Sequence, residues 1–286
     1  MEDLRNKVAV ITGGAEGIGR AIAQRAAQAG MKLVLADINA ASLAATVAEL
    51  TGQGAEVLGV PTDVSSFDDV EALADAAFTR FHRVHLLVNN AGVALCKPAW
   101  ELTLDDWDWV LGVNLHGVIH GIQAFVPRML SDGEEGRIVN TASAAGLLAA
   151  PGFAAYSVSK HAVVALSEVL HHDLALRESR LKVSVLCPAW VKTRIAQSER
   201  NRDEAGRSDP GALDPLSVKI ATAVLQATAI GIMPDQVAGA VFDAIAADRF
   251  YILTHPETRS GVKVRMEDIL QGRNPTLLSF DAGRAD

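Results

Sequence analysis

The sequence is short of cysteine, of positive charge and of long apolar runs. Its 286 residues include two cysteines, Cys96 and Cys187, whose spacing suits neither a disulfide framework nor a metal site. The eight histidines are scattered, so we predict no catalytic metal. No apolar run reaches the length expected of a bilayer span, and the N-terminus lacks the apolar core of a signal peptide. We therefore expect no membrane partner and a cytoplasmic location.

The charge balance argues against a second group of partners. Lys and Arg number 26 against 34 Asp and Glu, so the net charge of -8 argues against binding to nucleic acid. Hydrophobic residues make up 49% of the chain and charged residues 21%, a composition that can bury a sizeable core. No internal repeat or linker marks a second domain, so residues 1–286 are predicted to form a single domain.

Short β-branched runs alternate with longer Ala-rich stretches along the chain. The predicted strands are residues 8–12, 33–37, 57–63, 86–89, 137–141, 183–186 and 251–254. The predicted helices are residues 18–29, 40–50, 68–80, 104–130, 155–178 and 234–247. This alternation implies right-handed crossovers and strands that are buried on both faces. We therefore predict a doubly wound α/β fold of the Rossmann type, with a mostly parallel seven-stranded sheet and helices on both faces.

One stretch, residues 190–233, breaks the alternation and is called the lid segment below. It shows no clear strand, contains Pro210, Gly211 and Pro215, and balances four Arg against four Asp or Glu over residues 194–209. An insertion of this length after a strand is usually functional, so we predict a substrate lid. The alternative is a partly disordered surface loop.

A glycine-rich loop joins the first strand to the first helix. It contains Gly13, Glu16, Gly17, Ile18 and Gly19. Glycines let the backbone turn tightly and approach a pyrophosphate, whose charge is met by the N-terminus of the helix. The loop therefore predicts a dinucleotide cofactor.

The second strand ends in Asp37, which predicts which dinucleotide binds. A carboxylate there can accept hydrogen bonds from the adenosine ribose and would repel a 2′-phosphate. Glu16 adds a second negative charge, and no Arg or Lys immediately follows Asp37, so we predict NAD rather than NADP. The alternative is that Asp37 only caps a helix. Asp63 and Val64 end the third strand and could reach the adenine edge, or Asp63 could cap the next helix.

Tyr156 and Lys160 stand four residues apart in Y-S-V-S-K, thirteen residues after Ser143. On a helix, this spacing places both side chains on one face. A neighbouring ammonium favours the phenolate and lowers the pKa of the tyrosine. Such a tyrosine can exchange a proton with an alcohol or a ketone oxygen.

The motifs together resemble the short-chain dehydrogenase/reductase family. The matching pieces, in the family's order, are T-G-G-A-E-G-I-G at 12–19, D-V at 63–64, N-N-A-G at 89–92, Asn114, Ser143, Y-S-V-S-K at 156–160 and C-P-A-W-V-K-T at 187–193. The resemblance implies that Tyr156 is the general acid/base, that Lys160 lowers its pKa and binds the nicotinamide ribose, and that Ser143 orients the substrate oxygen. Asn114 would hold a water that links Lys160 to solvent.

The resemblance also implies further cofactor contacts. Asn90, Ala91 and Gly92 would lie against the cofactor. Val191 and Thr193, after Pro188, would fix the nicotinamide carboxamide. The family commonly has Pro-Gly where this chain has Pro188 and Ala189, so the nicotinamide site should be slightly narrower.

The predicted substrate-facing segments are residues 93–100, residues 144–153 and the lid segment. The middle one is almost wholly apolar and shows no cation cluster, which favours a small hydrophobic secondary alcohol and its ketone. A weaker resemblance, in D-W-D-W-V-L-G-V-N-L-H-G-V-I-H-G and F-Y-I-L-T-H-P-E, is to a subgroup that includes dehydrogenases of benzylic alcohols. It favours an aromatic or alicyclic substrate.

Two alternatives to this enzyme remain open from the sequence. One is an NAD-retaining epimerase or dehydratase, and the other is an NAD-binding sensor or scaffold without turnover. The family resemblance further implies a homotetramer or homodimer, packed through the helices that carry Asn114 and Tyr156.

Overall fold

Seven strands form one parallel sheet in the computed structural model of the chain, which describes residues 3–208 and 214–277. The strands are β1 (Val8–Thr12), β2 (Lys32–Asp37), β3 (Val57–Pro61), β4 (Leu86–Asn89), β5 (Gly136–Thr141), β6 (Leu181–Cys187) and β7 (Tyr251–Leu253). Their order across the sheet is β3-β2-β1-β4-β5-β6-β7. This order confirms the predicted doubly wound fold, although β3 and β7 end earlier than predicted.

Nine α-helices connect these strands within the described ranges. They are α1 (Gly17–Gln28), α2 (Ala40–Gly52), α3 (Phe67–Phe81), α4 (Leu104–Leu111), α5 (Gly117–Asp132), α6 (Ala154–Leu176), α7 (Pro215–Ala229), α8 (Pro234–Ala246) and α9 (Thr258–Leu270). The predicted helix over residues 104–130 is α4 and α5 joined by a π-helical turn, Gly112–His116. Helices α7 and α9 were not predicted.

The core lies on both faces of the sheet because successive side chains of a strand point to opposite faces. Ile11 of β1 packs with Ile22 of α1 and Val241 of α8 on one face. Its neighbour Val10 packs with residues of α3 and α5 on the other face. The chain changes direction across the sheet between β1 and β4, and in doubly wound folds the ligand crevice opens at this point, at the carboxyl ends of the strands.

The continuous helical stretch Leu104–Asp132 corrects one sequence expectation. It is long and apolar enough, by length and composition, to cross a membrane, with a mean hydropathy of 1.2 in the window concerned. A share of 44% of that window is buried inside the protein, where α5 contacts α3 and β4. The buried part of this stretch therefore packs into the core of the protein, and a core helix can pass the same test of length and composition.

The lid segment is largely helical in its described part. Two 3₁₀ turns, Ile195–Asn201 and Glu204–Gly206, precede α7, and Asp214 caps α7 by accepting a hydrogen bond from the Leu216 N–H at 2.7 Å. Residues 209–213 of the predicted lid, including Pro210 and Gly211, lie outside the described residues. Ile220 and Val224 of α7 pack against Phe153, so this helix covers one of the predicted substrate-facing segments.

Candidate active site

A cavity of about 1400 Å³ opens at the carboxyl edge of the sheet. It is lined by the glycine-rich loop, by residues at or just after the ends of the other strands, by the lid segment and by α9. Sixteen of the predicted site residues line it: Gly13, Glu16, Gly17, Ile18, Asp37, Asp63, Val64, Asn90, Ala91, Gly92, Ser143, Tyr156, Lys160, Pro188, Val191 and Thr193. Gly19 and Asn114 stand behind its wall.

The glycine-rich loop is shaped by two glycines for different reasons. Gly13 has a φ of +61°, a conformation that L side chains rarely adopt. Gly19 has no room for a side chain, because a Cβ there would overlap the carbonyl oxygen of Gly13. Asn90 braces the loop from β4 by donating from Nδ2 to the carbonyl oxygen of Thr12 at 3.1 Å. The loop therefore leaves the backbone at the N-terminus of α1 open to a phosphate group.

Asp37 lies beside this loop and is held by it. Its carboxylate accepts hydrogen bonds from the backbone N–H of Ala15 at 3.1 Å and of Asn39 at 3.0 Å. Burial raises the pKa of Asp37 above its ordinary value, and these two hydrogen bonds act in the opposite direction. The cap of α2 is Asn39, whose side chain accepts from the Ser42 N–H. The interpretation of Asp37 as a simple helix cap is therefore wrong.

Asp63 lies at the far end of the same crevice. Its carboxylate accepts from the backbone N–H and the hydroxyl of Ser65, at 2.9 and 2.7 Å. The cap of α3 is Ser66, not Asp63. Asp63 and Val64 therefore form a turn that faces the cavity just before the helix.

Glu16 is paired with two arginines of the lid segment, a contact that the sequence analysis missed. Its carboxylate lies 3.3 Å from Nη1 of Arg194 and 2.9 Å from Nη2 of Arg200. All three residues line the cavity, so the ion pairs join the glycine-rich loop to the lid segment at the cavity wall. The negative charge of Glu16 is thus balanced by two cations that are more than 170 residues away in sequence.

Tyr156 and Lys160 lie on one face of α6, and Ser143 faces them from the end of β5. The Ser143 hydroxyl forms a hydrogen bond with Tyr156 and donates to the carbonyl oxygen of Pro188 at 3.3 Å. Lys160 donates from Nζ to the carbonyl oxygen of Thr141 at 2.9 Å, and Nζ lies 5.7 Å from the centroid of the Tyr156 ring. The three side chains that would carry proton transfer therefore meet on one wall.

The pKa values of this pair correct a sequence expectation. Burial raises the pKa of Tyr156 above its ordinary value, with the Ser143 hydrogen bond acting in the opposite direction. The net shift is therefore opposite to the lowering that we predicted from Lys160, whose Nζ donates to the Thr141 carbonyl. Burial also lowers the pKa of Lys160 to about 8.

Asn114 sits in the π-helical turn and is fully buried. Its Oδ1 accepts from the Val93 N–H at 2.8 Å, and its Nδ2 donates to the Val93 carbonyl at 2.9 Å and to the Ser159 hydroxyl at 3.1 Å. A Cβ placed on Gly92 would lie 3.3 Å from Asn114 Oδ1 and 3.5 Å from Lys160 Nζ. Asn114 and Lys160 therefore approach each other across Gly92, and the π turn sets the angle at which Asn114 enters the site.

A buried ion triad fastens the other side of the lid segment. Asp106, which is 2% exposed, lies 3.0 Å from Nζ of Lys97 and 2.5 Å from Nη1 of Arg202. The guanidinium of Arg202 also lies over the ring of Trp109, 5.0 Å from its centroid. The sequence showed Lys97 in a substrate-facing segment, and the structure neutralises its charge within the protein.

Two more residues at the site were missed by the sequence analysis. Helix α9 contributes Val264 to the cavity wall. His255, directly before it, is 8% exposed and contacts the main chain of Ala189 and Trp190. Ala189 itself does not have a positive φ, so the alanine in place of the family's glycine is unstrained. The only signal for His255 was its place in T-H-P-E at the end of β7.

The histidines include one pair with metal-type spacing, His116 and His120, which the sequence analysis treated as scattered. Their ring centroids lie 6.1 Å apart, and the Nδ1 of His120 contacts the carbonyl oxygen of Val64. No group of three or more metal-ligating side chains occurs in the part of the chain that the structure describes.

Comparison with known proteins places these features in context. The model of the short chain dehydrogenase family matches residues 7–204. A solved structure of a short chain dehydrogenase/reductase from Burkholderia phymatum, in complex with NAD, is 49% identical to this chain. It superposes with a TM-score of 0.95 over 98% of this chain and 100% of that one.

Two relatives have named activities. The CLA biosynthesis dehydrogenase/reductase of Lactiplantibacillus plantarum is 36% identical over 286 residues, which cover 98% of this chain and 99% of that protein. The 1-deoxy-11-beta-hydroxypentalenate dehydrogenase of Streptomyces exfoliatus is 35% identical, with 93% of this chain and 89% of that protein covered.

Proposed function

The chain belongs to the short-chain dehydrogenase family, as its motifs predicted, and from that premise we propose an NAD-dependent oxidoreductase. Its substrate would be a hydrophobic secondary alcohol, interconverted with the ketone. One observation carries the proposal: Ser143, Tyr156 and Lys160 meet on the wall of a cavity whose other end is a glycine-rich loop followed by Asp37.

The loop and Asp37 fit NAD. The carboxylate of Asp37 faces the cavity where an adenosine ribose would lie, and its negative charge disfavours a 2′-phosphate. Gly19 lets the start of α1 pack against Gly13 with no side chain between them, which suits the close approach of a phosphate group. Bound NAD supplies the acceptor of a hydride, and the protein supplies orientation and proton transfer.

Tyr156 exchanges the proton of the reaction. In the direction of ketone reduction, the phenol donates its proton to the carbonyl oxygen, and Ser143 donates a hydrogen bond to the same oxygen. In alcohol oxidation, the phenolate takes the hydroxyl proton. Because burial raises the pKa of Tyr156, the phenol is the resting form, and oxidation requires that its proton leaves first.

Lys160 and Asn114 support this proton transfer. The ammonium of Lys160, on the same helix face, stabilises the phenolate when it forms. Asn114 Oδ1 and Lys160 Nζ approach each other across Gly92, which supports the proposal that a water held by Asn114 links Lys160 to solvent. The pKa of Lys160 near 8 keeps its ammonium able to lose and regain a proton close to neutral pH.

The substrate end of the cavity is mainly apolar. Leu148, Phe153, Val224 and Val264 line it, and the nearby cations Lys97 and Arg202 are engaged by Asp106. An apolar pocket with few polar groups favours an uncharged, hydrophobic alcohol. We also propose that the lid segment covers this substrate and that the protein forms a homotetramer or homodimer.

The test is NADH formation by the purified protein with aliphatic, alicyclic and benzylic secondary alcohols, with NAD and NADP compared side by side. We expect turnover with NAD and hydrophobic alcohols. Asp37→Ser serves as the control for cofactor choice and should reduce the ratio of activity with NAD to activity with NADP. Turnover by the unaltered protein with NADP alone would contradict the role of Asp37. NADH binding without turnover on any alcohol would favour the non-catalytic alternative.

A further inference from the structure

His255 contacts the segment that follows β6, next to the proposed catalytic residues, but it takes no part in the proposed proton transfer. It follows β7, is 8% exposed and lines the cavity. Its Nδ1 accepts a hydrogen bond from the backbone N–H of Ala189 at 3.3 Å. Its Nε2 lies 3.1 Å from the carbonyl oxygen of Trp190.

These contacts define which ring nitrogen carries the proton. Nδ1 is an acceptor for the Ala189 N–H and also for the Thr254 hydroxyl at 2.8 Å. Nε2 must therefore carry the ring proton and donate a hydrogen bond to the Trp190 carbonyl. Both nitrogens are engaged by the main chain of one segment, so the ring acts as a brace and has no free position for acid/base chemistry.

The braced segment, residues 188–191, is the one whose position matters to a nicotinamide ring. Its Pro188 carbonyl accepts from Ser143 Oγ and from the Ala144 N–H, which ties it to the proposed catalytic serine. Its Trp190 carbonyl also accepts from the Ile232 N–H at 3.0 Å.

We propose that His255 is a positioning residue that fixes residues 188–191 and, through them, the seat of the nicotinamide ring. The proposal rests on the proposed function in that the nicotinamide is taken to lie beside Val191 and Thr193. The histidine holds the N–H of the Pro188–Ala189 peptide and the C=O of the Trp190–Val191 peptide, so the two peptide groups on either side of the Ala189–Trp190 link are fixed relative to each other. Loss of the brace lets these two peptide groups turn and the nicotinamide tilt, while the adenosine end stays bound at Asp37.

Three variants separate the two halves of the brace. His255→Asn retains a polar atom near the position of Nδ1, and His255→Gln retains one near Nε2. His255→Leu removes both while filling a similar volume. His172→Leu is the matched control, because His172 is exposed on α6 and does not line the cavity.

The first readout is independent of turnover. We expect the unaltered protein to bind NADH more tightly than ADP-ribose, which lacks the nicotinamide, and His255→Leu to lose most of that difference. Affinity for ADP-ribose itself should change less than about twofold, because that part of the ligand does not depend on the brace. His255→Asn and His255→Gln should each restore part of the difference. An unchanged ratio of the two affinities in His255→Leu would overturn the proposal.

The second readout uses a secondary alcohol that the unaltered protein oxidises. A misplacement of the reacting atoms lowers the rate strongly, so kcat of His255→Leu should fall about 10- to 100-fold. In the reverse reaction, reduction of the corresponding ketone with NADH deuterated at either face of C4 should show that strict transfer from one face is relaxed. A loss that merely follows the unfolded fraction in thermal melts, with strict transfer kept, would contradict a positioning role. If the unaltered protein fails to oxidise any alcohol, the proposed activity fails, and the affinity ratio still decides the role of His255.

Discussion

Replacement of Lys160 by methionine should make the protein more stable while it removes activity. Lys160 is 3% exposed, and its ammonium donates a hydrogen bond to the Thr141 carbonyl. Burial lowers its pKa from 10.5 to about 8, so the folded state holds a proton less readily than the unfolded chain. The charge is therefore kept in the site at the expense of stability.

The size of the effect follows from the two pKa values. A difference between 10.5 and about 8 corresponds to about 3 kcal/mol, at about 1.4 kcal/mol per pH unit. Methionine also leaves the Thr141 carbonyl without its donor, which costs about 1 kcal/mol. Lys160→Met should thus raise the free energy of unfolding at pH 7 by about 2 kcal/mol.

The pH dependence gives the sharper test. Below about pH 8, Lys160 is charged in both states, and the full penalty is present. As pH rises from about 8 toward 10.5, the folded state has lost the proton and the unfolded chain still holds it, so the penalty disappears. Urea denaturation at pH 7 and pH 10 should therefore show the advantage of Lys160→Met shrinking.

Lys263 on α9, with its side chain 78% exposed, is the matched lysine, and Lys263→Met should change stability by less than about 0.5 kcal/mol at both pH values. An advantage of Lys160→Met that stays constant from pH 7 to pH 10, or its absence at pH 7, would refute the account of Lys160 as a buried charge.

Three further predictions concern the glycine-rich loop and the lid segment. Gly19→Ala should destabilise the fold by about 1–3 kcal/mol and weaken NADH binding in fluorescence titrations. The control is Gly239→Ala, whose Cβ would meet no atom within 4 Å and which should stabilise helix α8 by about 0.5–1 kcal/mol; equal effects of the two substitutions would contradict the tight packing of the loop. Asp106→Asn leaves Arg202 without a buried counter-charge and should lower the free energy of unfolding by about 3–5 kcal/mol in urea; a neutral result would show that the triad is solvated. Glu16→Gln releases two lid arginines and should improve NADP affinity relative to NAD by about 3- to 10-fold; an unchanged ratio in competition titrations would show that Asp37 alone sets the choice.

The sheet and its motifs were predictable because each rests on local sequence. A strand such as Val8–Thr12 is buried at every position, so it stands out as a continuous apolar run. The glycine-rich loop and Asp37 follow strand ends, and parallel strands bring their carboxyl ends to one edge. Once the strands take the order of a doubly wound sheet, these residues lie in the same cavity as Tyr156.

What the sequence did not predict depends on contacts between distant segments. The pairing of Glu16 with Arg200 joins residues 184 apart, and neither residue has a neighbour in sequence that signals it. Helix α9 has little amphipathic pattern, and α7 shows its buried stripe only against Phe153. The raised pKa of Tyr156 follows from burial, whereas the i, i+4 spacing with Lys160 suggested the opposite direction.

Tyr156→Phe tests the proposed role of Tyr156 as general acid/base most directly. This change removes the phenolic oxygen and retains the ring that packs near Phe153, with ring centroids 6.0 Å apart. We predict that the variant binds NADH with the affinity of the unaltered protein and loses alcohol oxidation by a factor of at least about 100. Oxidation of the same alcohol at an undiminished rate would contradict the assignment of Tyr156 as the general acid/base.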